Sequence, residues 1–136
     1  MTTTSSFAPL GRAGLLAAAV AAVGNLVVYA LARTLGVALL LPLQPGAAPV
    51  LLPVAMVLGA SLAGAAAAAA AFALLTRFGP RRTRLFPIVA LVFLLLSLGA
   101  PLTLAATDGA TRATLVLMHL LAGGSITYLL AARGRG

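Results

Sequence analysis

Acid–base chemistry in this chain would rest on one histidine, His119, and one acid, Asp108, because glutamate, cysteine and lysine are absent. Hydrolysis wants an activated nucleophile with a base and its orienter, or a metal held by several ligands. One histidine and one aspartate are too few for either, so the sequence predicts no enzyme, no metal and no cofactor. Without cysteine there is no disulfide or thiolate site, and no glycine-rich phosphate loop with a lysine occurs. What remains is a set of polar side chains, Asn25, Ser61, Ser97 and His119, each set inside a long apolar run. A titratable ring in such a run, here His119, is a functional hypothesis by default.

The elements that must position these residues are membrane helices. Of 136 residues, 62% are hydrophobic and only 7% charged, and the mean hydropathy is +1.17. A soluble domain carries roughly a quarter charged residues, so a soluble fold is excluded. Val50 to Leu75 is the longest apolar run, long enough at about 1.5 Å per residue to cross a hydrocarbon layer of about 30 Å. It ends in the basic knot Arg77, Arg81, Arg82 and Arg84. Similar runs place spans at about 11–33, 50–76, 86–106 and 110–132, giving an all-α, polytopic four-transmembrane-helix bundle that forms a single domain.

Residues 1–10 read as a disordered cytoplasmic lead-in and 134–136 as a cytoplasmic tail. Ala30-Leu31-Ala32 has the small-x-small form of a cleavage site. The first apolar run is nearly twice the usual signal-peptide core of about 7–15 residues, contains Asn25, and is preceded only by Arg12. It is expected to be retained as a span. Prolines stop the chain from continuing as a helix across 42–49, and Leu39-Leu40-Leu41 is expected in the headgroup layer or over the bundle mouth. Pro53 is tolerated in the first turn of the second span. Asp108 suits the N-cap of the fourth.

Arginine placement sets the orientation. Arg12, Arg77, Arg81, Arg82, Arg84, Arg133 and Arg135 fall at one side, and Arg33 and Arg112 at the other with Asp108. Seven against two predicts both termini in the cytoplasm. The net charge of +8 therefore serves topology and contact with anionic headgroups of the lipid bilayer, not nucleic acid. Arg33 and Asp108 are expected to pair at the outer surface. An alanine-rich, lysine-free composition points to a bacterial cytoplasmic (plasma) membrane.

With span midpoints near residues 23, 63, 96 and 122, Asn25, Ser61, Ser97 and His119 all fall within about 5 Å of the midplane. Each comes from a different helix, as a shared polar layer requires. Pro101 has no N–H, so the Ser97 carbonyl loses its helical partner and a kink is expected there. A His119 ring N–H or the Asn25 amide could supply the missing donor. Gly14, Ala18, Ala21, Asn25 and Tyr29 share one face, as do His119, Gly123 and Thr127. Gly59, Ala60, Ala63 and Gly64 form a small-residue seam around Ser61 that suits helix packing. The plainer reading is interhelical glue worth about 0.6 kcal/mol per bond, with Ser61 and Ser97 bonded back one turn. Tyr29 and Tyr128 are expected as interface anchors.

The succession Asn25-Leu26-Val27-Val28-Tyr29, a proline-rich loop, Gly59-Ala60-Ser61-Leu62-Ala63-Gly64, Leu96-Ser97-Leu98-Gly99-Ala100-Pro101-Leu102 and Met118-His119-Leu120 resembles a family of small bacterial four-span membrane proteins described only as a domain of unknown function. The resemblance covers about Arg12 to Leu130 and implies the four-span architecture, with weight on the Asn, Ser-x-x-x-Pro and Met-His positions. It implies no activity. Two functions stand out from the residues: a structural or accessory bundle that forms a homo-oligomer or packs on a larger membrane complex, and a small carrier or permeation protein using the polar layer.

Overall fold

A computed structural model describes residues 7–44, 46–104 and 107–133. Helix α1 spans Phe7–Thr34, α2 Val54–Arg77, α3 Pro80–Thr83, α4 Phe86–Ser97, α5 Gly99–Thr103 and α6 Gly109–Arg133. Among the described residues, four helical segments are long and apolar enough to cross a membrane: Leu10–Thr34, Val54–Arg77, Phe86–Thr103 and Gly109–Arg133. The outside of the bundle is apolar, with Leu15 75%, Leu96 70% and Phe93 67% exposed, a surface that only lipid or another apolar partner can solvate. The molecule is an all-α four-helix membrane bundle.

Helices α1, α2 and α6 form its centre, α1 packing most extensively on α6 and then on α2. Their shared interior is built from alanines, Ala13, Ala17 and Ala21 of α1 with Ala65 of α2. Small side chains let the backbones close on each other, which is how helices gain packing energy in lipid. At Gly24 the Leu121 side chain of α6 occupies the space a side chain would take, since a Cβ there would lie 2.5 Å from Leu121 Cδ2. Helix α4 leans mainly on α6 and meets α2 lightly. Its anchor to α2 is the edge-to-face pair Phe72–Phe86, with ring centroids 5.0 Å apart.

Two apolar clusters stack along the bundle axis. One lies at the arginine-rich end, where Ala13, Phe72, Phe86 and Leu130 meet. The other lies at the opposite end, around Ala32, Leu39, Val57, Leu115 and Met118. Here the chain departs from an all-helical course. Leu40–Leu41 and Val50–Leu51 pair as two-residue antiparallel strands β1 and β2. The second span therefore starts at Val54 with Pro53 as N-cap, four residues later than the sequence suggested. Helix α1 begins earlier than expected, inside the stretch read as a disordered lead-in.

The hairpin is tied over the bundle mouth by side chains. Tyr29 donates its hydroxyl to the Leu52 carbonyl at 3.0 Å. Arg33 donates to the carbonyls of Val37 and Ala38, and the buried Leu39 N–H donates to Thr111 Oγ1 at 3.1 Å. Leu39 itself sits at φ +52°, a left-handed geometry that costs a branched residue roughly 1–2 kcal/mol. At the other end the chain turns from α2 through Gly79 at φ +97°, where glycine alone is unstrained.

Candidate functional site

Asn25 and Ser61 meet in the interior between the two apolar clusters. Asn25 Nδ2 donates to Ser61 Oγ at 2.9 Å, and Ser61 donates in turn to the Val57 carbonyl at 2.8 Å. Both residues are buried, and Asn25 Oδ1 has no partner. Ser97 is exposed on α4 and donates to the Leu94 carbonyl. His119 is half-buried, with Nδ1 2.8 Å from the Leu115 carbonyl. Since a carbonyl only accepts, Nδ1 carries the hydrogen in that contact.

The layer is thus split. Ser61, Ser97 and His119 line one groove of about 330 Å³ between α2, α4 and α6, while Asn25 stands behind Ser61 on the α1 side. The groove exists because α4 leans on α6 and leaves α2. Its walls are mostly Ala60, Gly64, Ala67 and Ala68 from α2, Phe86 and Phe93 from α4, and Ala122 and Gly123 from α6. At Gly123 the missing side chain seats Leu94, whose Cδ1 would lie 2.6 Å from a Cβ there.

The helix is interrupted at Leu98, between α4 and α5, one turn before the buried Pro101. The donors anticipated for the Ser97 carbonyl are engaged elsewhere, Asn25 on Ser61 and His119 on Leu115. Gly59, Ala60, Ala63 and Gly64 are exposed, not interior. The stripe that α2 buries is Val57, Ser61, Ala65 and Phe72. On α1 the buried stripe is Ala13, Ala17, Ala21 and Asn25, with Gly14, Ala18 and Tyr29 at its edge.

Arg33 and Asp108 do not pair. Arg33 binds the hairpin carbonyls, and Asp108 accepts from both the N–H and the hydroxyl of Thr111, at 2.8 and 2.6 Å. Each charge finds a partner within five residues, closer than the other charge. Asp108 is therefore the N-cap of α6, and the Thr111 hydroxyl followed by the Thr111 N–H holds its carboxyl below the ordinary value. Arg77, Arg81 and Arg84 are exposed at the α2–α4 turn. The side chain of Arg82, residues 134–136 with Arg135, residues 105–106 at the end of the expected third span, and residues 1–6 of the lead-in lie outside the described residues. Tyr128 is exposed on α6, whereas Tyr29 belongs to the hairpin tether.

Sequence reasoning missed Thr111 and Tyr29 as tethers. Thr111 carried a signal, standing at the third position after an aspartate N-cap, but its second bond reaches a residue 72 positions away. Replacing Ser61 with alanine should cost more than replacing Asn25 with leucine, because the first leaves the whole Asn25 amide unpartnered. A double-mutant cycle in detergent unfolding is expected to give a coupling of about 0.6–1.7 kcal/mol. Additive single effects would mean the bond contributes nothing.

Four antiparallel membrane helices with a split polar layer define the class. The chain belongs to a family of unknown function, DUF6069, whose family model matches residues 5–136. No curated protein and no solved structure matches it.

Proposed function

We propose that this protein is an accessory helix bundle of the bacterial cytoplasmic membrane that docks against further membrane helices, either a second copy of itself or a subunit of a larger complex. The observation that carries this reading is the bare face of α2. Gly59, Ala63, Ala66 and Ala70 are all exposed and follow one another at helical spacing. A Cβ added at Gly59 would meet nothing. Within the bundle this face has no work, and against a second helix it permits close backbone contact.

In this reading both termini lie in the cytoplasm. Arg12, Arg77, Arg81, Arg84 and Arg133 gather at one end of the antiparallel helices and contact anionic headgroups. No catalytic role, nucleic acid or cofactor enters. Gly59→Leu combined with Ala63→Leu should convert an assembly to a monomer in a native mass spectrum of protein extracted in its own lipids. A wild-type protein that is monomeric with no co-purifying subunit would overturn the proposal. The carrier reading is favoured by one observation, the groove that Ser61, Ser97 and His119 share.

A further inference from the structure

The groove has a direction. Its lining on α2 runs from Ala60 to Ala71, on α4 from Phe86 to Ser97, and on α6 from His119 to Thr127. Because α4 runs opposite to α2 and α6, Ser61, Ser97 and His119 all stand at the same end, nearer the hairpin. Apart from Thr127 at the far end, the remaining lining is alanine, glycine, valine, leucine, isoleucine and phenylalanine. The α2 segment is about 16 Å long at 1.5 Å per residue. A volume of about 330 Å³ over that length leaves a mean section of about 20 Å², enough for one hydrocarbon chain.

The polar end is short of donors. Ser61 Oγ has given its hydrogen to Val57, and Ser97 Oγ has given its own to Leu94. His119 has turned Nδ1–H to Leu115, so a ring carrying that single hydrogen offers Nε2 as an acceptor. Ser61 Oγ already accepts from Asn25 Nδ2, so two open acceptors, Ser97 Oγ and His119 Nε2, stand at one end of an apolar groove. Unmet acceptors away from water call for a ligand that brings its own donor. A charged ammonium would carry a desolvation cost that nothing here offsets, since no acid faces the groove.

We propose that this groove binds a single-chain lipophilic alcohol taken from the bilayer, its hydroxyl donating to His119 Nε2 and its tail running towards the arginine-rich end. The site gives the carrier reading its ligand class but requires no transport. It also uses a different face of α2 from helix docking, so the oligomeric state and alcohol binding fail independently.

The test uses the full chain in lipid nanodiscs, with farnesol and farnesyl methyl ether as probes. The ether keeps the chain and removes only the donor. His119 is the chain's single histidine, so its Nε2 gives one nitrogen resonance. Farnesol should bind saturably and shift that resonance, and the ether should bind about ten-fold more weakly without the shift, the size of one net hydrogen bond. His119→Phe should bring farnesol down to the affinity of the ether, and Ala68→Phe, which fills the groove, should abolish both. Equal binding of alcohol and ether by the wild type would overturn the proposal. So would farnesol uptake that Ala68→Phe leaves unchanged. The wild-type comparison stands even if a variant fails to fold.

Discussion

Replacing Thr111 with valine should loosen the hairpin at Leu39 and lower stability by about 2 kcal/mol. Thr111 and Leu39 are both fully buried, and valine preserves the volume of threonine, so packing is kept. The hydroxyl is what disappears. It accepts the Leu39 N–H and donates to Asp108 at once, and its loss leaves a buried N–H unpaired, a cost of about 1–3 kcal/mol. The left-handed backbone at Leu39 then has less holding it. Hydrogen exchange should speed up at the Leu39 amide and stay unchanged in the alanine interior of α1, while Thr111→Ser should behave as wild type. A valine variant whose Leu39 amide keeps its protection would show that the hairpin is held by packing alone.

The same substitution has a signature in acid. Asp108 has a carboxyl held below its ordinary value, first by the Thr111 hydroxyl. Its stabilising contribution is therefore complete above the unfolded aspartate value of about 3.9 and is lost as pH falls through the lower folded value. In the valine variant the largest cause is gone, so the acid limb of the stability profile should move up towards that ordinary value. An unmoved limb would assign the shift to the backbone N–H bond.

The four spans were legible because hydropathy over about 20 residues reports depth in a bilayer directly. Depth also brought Ser61, Ser97 and His119 to one level. Azimuth was not legible. In a water-soluble helix the polar face marks the outside, but here lipid and most of the interior are apolar alike, so apart from Ser61 nothing in the sequence separates the Gly59–Ala63 face from the Val57–Ser61–Ala65 face. Small residues pointed to packing, and the packing they mark is not the one inside this bundle. The polar layer divided for the same reason, with Asn25 and His119 on opposite sides of Ser61.

Charge misled where local geometry was closer. Arg33 and Asp108 share an end of the molecule, which favours pairing. Yet the carbonyls of Val37 and Ala38 lie four and five residues from Arg33, and Thr111 lies three from Asp108. Groups so near in sequence meet at almost no entropic cost. The hairpin was half legible: prolines ended the helix, and Leu39 to Leu41 were too apolar for a solvated loop. Their pairing with Val50 and Leu51 depends on how the mouth of the bundle closes, which no local pattern encodes.

Helix α4 is tied to α2 by the aromatic pair Phe72–Phe86, and Phe72→Ala should break that tie. Phe72 and Phe86 are both buried and meet at 81°, close to the edge-to-face arrangement that aromatic quadrupoles favour. In a membrane the lost ring is not returned to water, so the hydrophobic transfer term falls away and the cost is the cavity and the pair. A residual cavity of about 100 Å³ at about 24 cal/mol per Å³ gives roughly 2–3 kcal/mol, and the aromatic pair adds about 0.5–1.5 kcal/mol. Phe72→Leu, which fills most of the space, should lose little more than the pair. Helix α4 otherwise rests on α6, with Leu94 seated at Gly123. Spin labels at Leu74 and Ile88, both exposed, should therefore show a broadened α2–α4 distance in the alanine variant while α1–α6 distances hold. Because Phe86 also lines the groove, the same variant should widen it and weaken any preference for a single chain. An unchanged distance would mean that α6 alone fixes α4, and that the groove is shaped by Gly123 and not by the aromatic pair.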